Sequence, residues 1–285
     1  MQQPFVATLA TQKSFPDLQI FLKSLQLWNP LNPPTVFLYT DAEVANAVSD
    51  INYKGALYTK VVLQQYSGLS RAEMERRPGL FGSLWFQFMA EKIRLLEWVF
   101  IVEATASERG VFFFDSDICF FGPLPVVPPH ATVALSPHMI READEALYGA
   151  FNGGFLWVKN TAALDTWRAS CSKSRFYEQA ALEVFQSAEH NKTLYTFPVQ
   201  HNFGWWRLWQ GRSAAADIKK GWTIRRDSSH SGILVDGAPL MSVHTHFGPG
   251  QLADAAAFND FVLEKLRLLA KAHAPARALL RILGT

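Results

Sequence analysis

Apolar runs alternate with helix-like stretches along the first half of the chain. Residues 5–10 are apolar except for Thr8, a pattern typical of a buried strand. The pair Pro33-Pro34 ends the helix that follows, and a second strand is predicted over residues 35–39. Strand, helix and strand within about 40 residues make a βαβ unit, which indicates a parallel sheet. The apolar stripe of this helix consists of Leu18, Phe21, Leu22, Leu25 and Trp28.

The same alternation continues through the rest of the chain. Further strands are predicted over residues 58–63, 111–114, 133–135 and 154–158, and further helices over residues 42–50, 84–99, 161–171 and 176–187. No linker-like block and no internal repeat interrupts this order. The pattern therefore predicts an α/β fold: a single Rossmann-like domain with a mostly parallel central sheet flanked by helices.

Composition narrows the classes of protein. Of 285 residues, 49% are hydrophobic, and 27 Lys and Arg against 25 Asp and Glu leave a net charge of +2. A nucleic-acid-binding surface needs a concentrated basic face, so no nucleic acid partner is expected. Cys119 and Cys171 are too few for a disulfide framework, which indicates a reducing compartment.

Apolar stretches and the two ends of the chain indicate whether it contacts a membrane. No stretch reaches the roughly 18 apolar residues of a membrane span, and the predicted strand at residue 5 leaves no room for a signal peptide. We expect a cytoplasmic protein without a transmembrane segment, soluble or peripherally attached. Residues 258–283 alternate apolar and basic side chains with a break at Pro275; a packed amphipathic helix is favoured there over a membrane-surface helix.

Two carboxylates follow a buried strand. Asp115 and Asp117 stand between the runs 111–114 and 118–121, which are almost entirely apolar. Buried anions are costly unless a cation or strong donors meet them, and oxygen ligands suit Mg²⁺ or Mn²⁺. A simple turn cap is the ordinary alternative. A phosphatase-type nucleophile motif is another, but Cys119 stands where that motif has Thr.

Two histidines near residue 245 are candidates for the same cation. In an extended segment His244 and His246 point the same way, so either can reach a metal through a neutral imidazole nitrogen. A pair of hydrogen-bonded histidines is the ordinary explanation when such a motif stands alone. Together with the two aspartates, a metal site is favoured. Gly248 would let backbone amides approach a phosphate.

These pieces together resemble a family. The chain looks like a metal-dependent nucleotide-sugar glycosyltransferase of the GT-A fold, most similar to the glycogenin and lipopolysaccharide-galactosyltransferase type. The resemblance rests on the order and spacing of six segments, since no single one is diagnostic. They are residues 7–11, the helix with Lys92 and Arg94, residues 113–117, residues 151–155, residues 177–182 and residues 246–248.

The resemblance implies roles at the metal and the nucleotide. Asp117 would bind the metal directly, and Asp115 would bridge the metal and the donor ribose. His246 would be the third protein ligand, with His244 as the alternative. The cofactor would be Mn²⁺ or Mg²⁺. The base and ribose pocket would be lined by Thr8, Ala10, Thr11 and Asp41, with Gly248 near the phosphates.

Further roles concern the transferred sugar. Lys92 or Arg94 would reach the donor phosphate or sugar, and Asn152 and Gly153 would lie beside that sugar. Glu178 replaces the Asp usual at its position and would be the acidic residue near the sugar. A helix N-terminal charge that complements the dipole is its structural alternative. The aromatic segment 199–209 is a candidate acceptor surface, through Trp205, Trp206 or Arg207, or a piece of core.

The implied activity is metal-dependent transfer from a nucleoside-diphosphate sugar, a UDP-sugar by preference, to a glycan or other hydroxyl acceptor, as in glycan biosynthesis. Retention at the anomeric carbon is favoured by the resemblance. Residues 1–121 would be the nucleotide-binding half, residues 122–250 the acceptor-side half and residues 251–285 a C-terminal helical extension. The alternatives are a metal-dependent phosphohydrolase with Asp115 as nucleophile, or a catalytically degenerate sugar-nucleotide or glycan-binding module.

Overall fold

The structure is a computed structural model that describes residues 3–76, 82–226, 229–248 and 253–285. Its strands are β1 (Phe5–Ala10), β2 (Val36–Thr40), β3 (Leu57–Val61), β4 (Val111–Phe114), β5 (Ile118–Phe120), β6 (Val133–Pro137), β7 (Phe151–Val158), β8 (Leu194–Thr196), β9 (Phe203–Gly204), β10 (Trp222–Ile224), β11 (Ile233–Val235), β12 (Ala238–Pro239) and β13 (Ser242–His244). Its helices are α1 (Phe15–Trp28), α2 (Ala42–Ala47), α3 (Arg71–Glu75), α4 (Leu84–Val102), α5 (Ala106–Arg109), α6 (Glu142–Tyr148), α7 (Thr161–Cys171), α8 (Arg207–Gln210), α9 (Ala215–Lys220), α10 (Ala253–Ala270) and α11 (Ala274–Ile282).

A central sheet organises the described residues. Its seven strands run in the order β3-β2-β1-β4-β7-β6-β8 within the part of the chain that the structure describes. β1 pairs in parallel with β2 and with β4, and β2 pairs in parallel with β3. β7 alone reverses direction, since it pairs antiparallel with both β4 and β6. The predicted mostly parallel α/β sheet is therefore confirmed.

Helices cover both faces of this sheet. Side chains alternate along β4, so Phe113 joins the core under α4 while Phe112 and Phe114 join the core under α1. All four residues of β4 are fully buried, as a strand covered on both faces requires. The apolar stripe of α1 contributes Phe21, whose ring lies 6.3 Å from that of Phe114 and 5.5 Å from that of Phe120.

A smaller sheet lies beside the central one. Its order is β5-β13-β9, with β13 antiparallel to β5 and parallel to β9. The C-terminal helices pack on it through an apolar cluster that contains Val243, Phe258, Val262, Leu266 and Leu279. The break predicted at Pro275 falls at the start of α11. Within the described ranges, no helix combines the length and the apolarity that crossing a bilayer would need.

Some element predictions were wrong in type or extent. Residues 176–187 were predicted as a helix, but the regular part is a 3₁₀ segment, Ala180–Gln186. Tyr177 adopts a left-handed φ of 44°, which prevents a continuous α-helix from Phe176 onwards. β7 begins at Phe151, three residues before the predicted strand, so Asn152 and Gly153 belong to the sheet.

Replacing Phe21 tests how α1 is held. Phe21→Ala should lower the free energy of unfolding by about 3–5 kcal/mol, because it removes a fully buried ring between α1 and β4. Urea denaturation followed by circular dichroism measures this change. Lys23→Ala, at an exposed position of the same helix, should shift the free energy by less than about 0.5 kcal/mol. Equal losses in the two variants would contradict the packing described.

Candidate functional site

The turn Asp115-Ser116-Asp117 carries the chain from β4 of the central sheet into β5 of the smaller sheet. Two backbone hydrogen bonds fix it. The Asp115 N–H donates to the carbonyl of Gly154 at 2.8 Å, and the Thr245 N–H donates to the carbonyl of Asp117 at 3.0 Å. Both aspartates are therefore anchored through their main chain to the strands on either side.

Strand pairing brings His244 to this turn. In the antiparallel pair β5–β13, His244 lies opposite Ile118, the residue after Asp117. Its Nε2 lies 3.1 Å from Oδ1 of Asp117 and 3.8 Å from Oδ2 of Asp115. Its Nδ1 lies 3.2 Å from the amide oxygen of Asn202. An amide oxygen only accepts, so Nδ1 carries a proton and Nε2 is the ring nitrogen that faces the two aspartates.

Asp115, Asp117 and His244 form a candidate metal site. Among the described residues, these three each offer a ligand atom within 4.8 Å of the others. Two carboxylates and one imidazole suit Mn²⁺ or Mg²⁺, and the ring held by Asn202 has the outer-shell partner that metal-ligating histidines usually have. The donor set therefore fits a divalent cation.

His246 approaches the same aspartate from the other side. Its Nε2 lies 3.4 Å from Oδ2 of Asp117, and its Nδ1 lies 2.9 Å from Oδ2 of Asp17. The negative charge of Asp117 raises the pKa of His246 to about 9. Burial raises the pKa of Asp117, but His244 and His246 outweigh it and hold that pKa well below its usual range. The two histidines thus stabilise the ionised carboxylate.

Lys92 of α4 lies between two carboxylates. Its Nζ lies 3.2 Å from Oδ1 of Asp115 and 2.9 Å from Oε1 of Glu178, and it donates to the carbonyl of Gly153 at 3.2 Å. Burial lowers the pKa of Lys92, but Asp115 and Glu178 raise it further, so the net pKa lies above the usual value. Burial raises the pKa of Glu178, and Lys92 offsets this only in part.

The Asn152-Gly153-Gly154 segment allows these groups to approach. A Cβ on Gly154 would lie 2.2 Å from Oδ2 of Asp115, and one on Gly153 would lie 2.9 Å from Oε1 of Glu178. A side chain at either position would therefore displace a carboxylate. The amide oxygen of Asn152 accepts from the Gly154 N–H and from Nδ2 of Asn202, which joins this strand to the support of His244.

The residues predicted to line the nucleotide pocket lie at the carboxyl ends of β1 and β2. Ala10 pairs in register with Thr40, so the residues that follow each strand are neighbours. The carboxylate of Asp41 accepts from the Gln12 N–H at 2.8 Å and from the Val44 N–H at 3.0 Å, which ties the β1–α1 turn to the start of α2. Thr8 and Thr11 are buried beside this edge.

Three of the residues predicted to contact donor or acceptor make other contacts in the structure. Arg94 is exposed and pairs with Glu91 at 2.7 Å, so the structure does not bring it to the cluster that contains Lys92. Arg207 is buried and donates to the carbonyls of Pro137, His138 and Val199, which commits it to the core. The Gly248 N–H donates to Asp17 at 3.3 Å rather than facing an open pocket.

The sequence analysis missed Asp17 and Asn202, which hold the two histidines. Asp17 lies in the first turn of α1, where an acidic residue is ordinary because it complements the helix dipole. Asn202 lies in an aromatic segment with no metal-site spacing. Neither residue carries a local signal, since each meets its histidine only through tertiary packing.

Comparisons with known proteins address the fold. No protein-family model and no curated protein sequence matches this chain. By structure it is similar to the galactosyltransferase LgtC solved with donor and acceptor sugar analogues, with a TM-score of 0.56 and 13% identity over 98% of this chain and 95% of LgtC. It is also similar to the glycosyltransferase GlyE of Streptococcus pneumoniae TIGR4, with a TM-score of 0.52 and 12% identity over 99% of this chain and 63% of GlyE.

These likenesses extend along almost the whole chain at low sequence identity, and they concern the arrangement of helices and strands. Together with the mostly parallel sheet and the aspartate turn at the end of β4, they identify the architecture. The chain has the GT-A fold seen in these glycosyltransferases.

Proposed function

We propose that this protein is a glycosyltransferase that moves a sugar from a nucleoside-diphosphate sugar to a hydroxyl group of a glycan or similar acceptor. The observation that carries the proposal is the cluster Asp115, Asp117 and His244 at the carboxyl end of β4. In open α/β sheets, ligands bind outside the carboxyl ends of the strands. A UDP-sugar is the donor we propose, and Mn²⁺ or Mg²⁺ the cofactor.

The cluster and the residues around it have distinct parts in this proposal. Asp115, Asp117 and His244 would hold the cation, which neutralises charge on the diphosphate as it leaves. Lys92 fixes the orientation of Asp115 through the contact at 3.2 Å. Asp41 shapes the edge where base and ribose would lie, because its carboxylate fixes the backbone of both adjoining segments.

Retention at the anomeric carbon is the stereochemistry we propose. An inverting transfer needs a carboxylate base on the acceptor side. Of the three acidic candidates in α6, Asp144 pairs with Arg141 at 2.7 Å and Glu145 with Arg212 at 2.9 Å, while Glu142 is exposed. Glu178 is buried directly beneath Gly153, below the proposed sugar position. Proton NMR of the product's anomeric signal tests this assignment.

Metal-dependent donor binding tests the proposed function directly. The wild-type protein should bind a member of a panel of nucleoside-diphosphate sugars by isothermal titration with Mn²⁺ present and lose that binding with EDTA. Asp117→Asn should weaken metal-dependent binding at least about 100-fold, since it removes a charged ligand and keeps the shape. Asp50→Asn, the same change at an exposed position, should leave binding unchanged.

Other outcomes identify the alternatives. If no sugar nucleotide binds in the presence of Mn²⁺ or Mg²⁺, the proposal is wrong. Magnesium-dependent hydrolysis of a phosphate ester that requires Asp115 would instead indicate the phosphohydrolase. Donor binding without product formation on any acceptor would indicate the degenerate binding module.

Metal affinity should depend on pH. Below its pKa of about 9, His246 is protonated and paired with Asp117, so a cation that takes Asp117 must displace that proton. Affinity for Mn²⁺ should therefore rise about tenfold per pH unit between pH 6.5 and 8.5 and level off near pH 9. Titration with Mn²⁺ at a series of pH values measures this affinity, and an argon atmosphere prevents oxidation of the metal. His246→Ala should flatten this slope, and an unchanged slope in that variant would contradict the mechanism.

Lys92 and Glu178 should differ in their cost to stability. Lys92→Met leaves the half-buried Asp115 and the buried Glu178 without their cation and should lower the free energy of unfolding by about 3–5 kcal/mol. Glu178→Gln keeps the Lys92–Asp115 pair and should cost about 1 kcal/mol. Urea denaturation at pH 7 compares the two. A larger loss for Glu178→Gln would show that the pair Lys92–Glu178, rather than the shared cation, dominates.

A further inference from the structure

Asp17 contacts the histidine loop through both of its carboxylate oxygens. Oδ2 lies 2.9 Å from Nδ1 of His246, and Oδ1 accepts from the backbone N–H groups of Phe247 at 3.1 Å and Gly248 at 3.3 Å. The side chain is 7% exposed. It stands in the first turn of α1, directly after Pro16, and α1 is fixed to the central sheet through Phe21. A rigid helix therefore presents this carboxylate to the loop.

The contact decides how the His246 ring is oriented. An ionised carboxylate can accept hydrogen bonds but cannot donate them. Nδ1 of His246 therefore carries a proton that it donates to Asp17, and Nε2 faces Asp117. The His246 ring is 52% exposed, so its orientation depends strongly on the hydrogen bond to Asp17. His244 has the equivalent support in Asn202, but that ring is buried at 7% exposure.

Other contacts hold the loop but not the ring. Nδ2 of Asn259, from α10, donates to the carbonyl of His246 at 2.7 Å, and the hydroxyl of Thr245 donates to the same Asn259 side chain at 2.8 Å. These bonds fix the backbone on the side of the smaller sheet. Among the described residues, the imidazole of His246 is contacted by Asp17 at Nδ1 and by Asp117 at Nε2. Orientation of the ring and support of the loop can thus be separated by mutation.

We propose that Asp17 is a positioning residue of the cation site: it holds His246 with Nε2 directed at Asp117, where the neutral ring would be a further ligand beside Asp115, Asp117 and His244, and thereby sets the affinity of the site for a divalent cation. This inference rests on the metal site of the proposed function. It adds a partner that lies in α1, far from the other groups along the chain. Outer-shell partners of this kind change metal affinity by about 10- to 100-fold.

Mn²⁺ binding without nucleotide or sugar tests the proposal, so the readout does not depend on catalysis. Free Mn²⁺ is measured by electron paramagnetic resonance during titration of the whole protein. Above pH 9, where the His246 proton no longer competes with the cation, Asp17→Asn should weaken Mn²⁺ binding about 10- to 100-fold, because an amide cannot accept from His246 and from both backbone N–H groups. Asp17→Glu, which keeps two acceptor oxygens, should recover part of that loss.

Matched variants separate ring orientation from loop support. Asn259→Ala loosens the loop without touching the ring and should change the Mn²⁺ affinity less than threefold, while lowering the melting temperature as Asp17→Asn does. In a His246→Ala background, Asp17→Asn should have no further effect on Mn²⁺ affinity, since non-additivity marks two residues that act through one contact. Equal effects in both backgrounds would assign Asp17 to loop support alone and overturn the proposal.

The outcomes distinguish this inference from the proposed function. If the wild-type protein binds no Mn²⁺, the metal site itself is wrong and Asp17 has no site to serve. If the wild type binds Mn²⁺ and Asp17→Asn binds it equally well or more tightly, the metal site stands and the role of Asp17 is refuted. A nitrogen-15 spectrum of the neutral His246 ring gives a test without metal. It should show the proton on Nδ1 in the wild type and a tautomer mixture in Asp17→Asn.

Discussion

The partial burial of two carboxylates at the end of an apolar strand is the constraint on which the rest of the site depends. Asp115 and Asp117 follow a strand with no exposed residue, and a buried anion is stable only where cations or donors surround it. Lys92 meets Asp115 from the helix on one face of the sheet. His244 and His246 meet Asp117 from the smaller sheet. Charge compensation therefore brings a helix and a second sheet to one turn.

The same contacts connect the stability of the fold with the proposed chemistry. Lys92 and the two histidines balance the charge of the carboxylates in this structure, and in the proposed function a divalent cation would take over part of that balance. Gly153 and Gly154 allow the carboxylates to lie against the sheet, where any side chain would meet them. Asp17 and Asn202 then fix the two rings. The site is thus built from backbone approach and outer-shell support as much as from its ligands.

Much of the architecture could be predicted because it follows local periodicity. The strand of residues 111–114, the helix stripe at residues 18–25 and the parallel order of the first strands all come from spacing within short windows. Residues 176–187 were mispredicted as a helix, because the left-handed backbone at Tyr177 interrupts the segment and its regular part is a 3₁₀ turn, Ala180–Gln186. A local sequence pattern therefore does not predict where a single left-handed residue ends a helix.

Candidate residues of one type could not be told apart by sequence. Lys92 and Arg94 lie two positions apart on α4, about 200° around the helix, so only one can face the sheet. The sheet decides that it is Lys92, whereas Arg94 points to solvent. Arg207 could equally have been a surface group, and burial against three carbonyls decides otherwise.

The sequence by itself determined that two aspartates end a buried strand and that two histidines share one extended segment. Both are patterns over a few residues, and chain geometry alone carries them. Only the tertiary structure decided that strand β13 lies in register with β5, and that Asp17 meets His246 across 229 positions of sequence. The physical reason is that periodicity fixes which face a side chain occupies, whereas the partner on that face is chosen by the packing of distant elements.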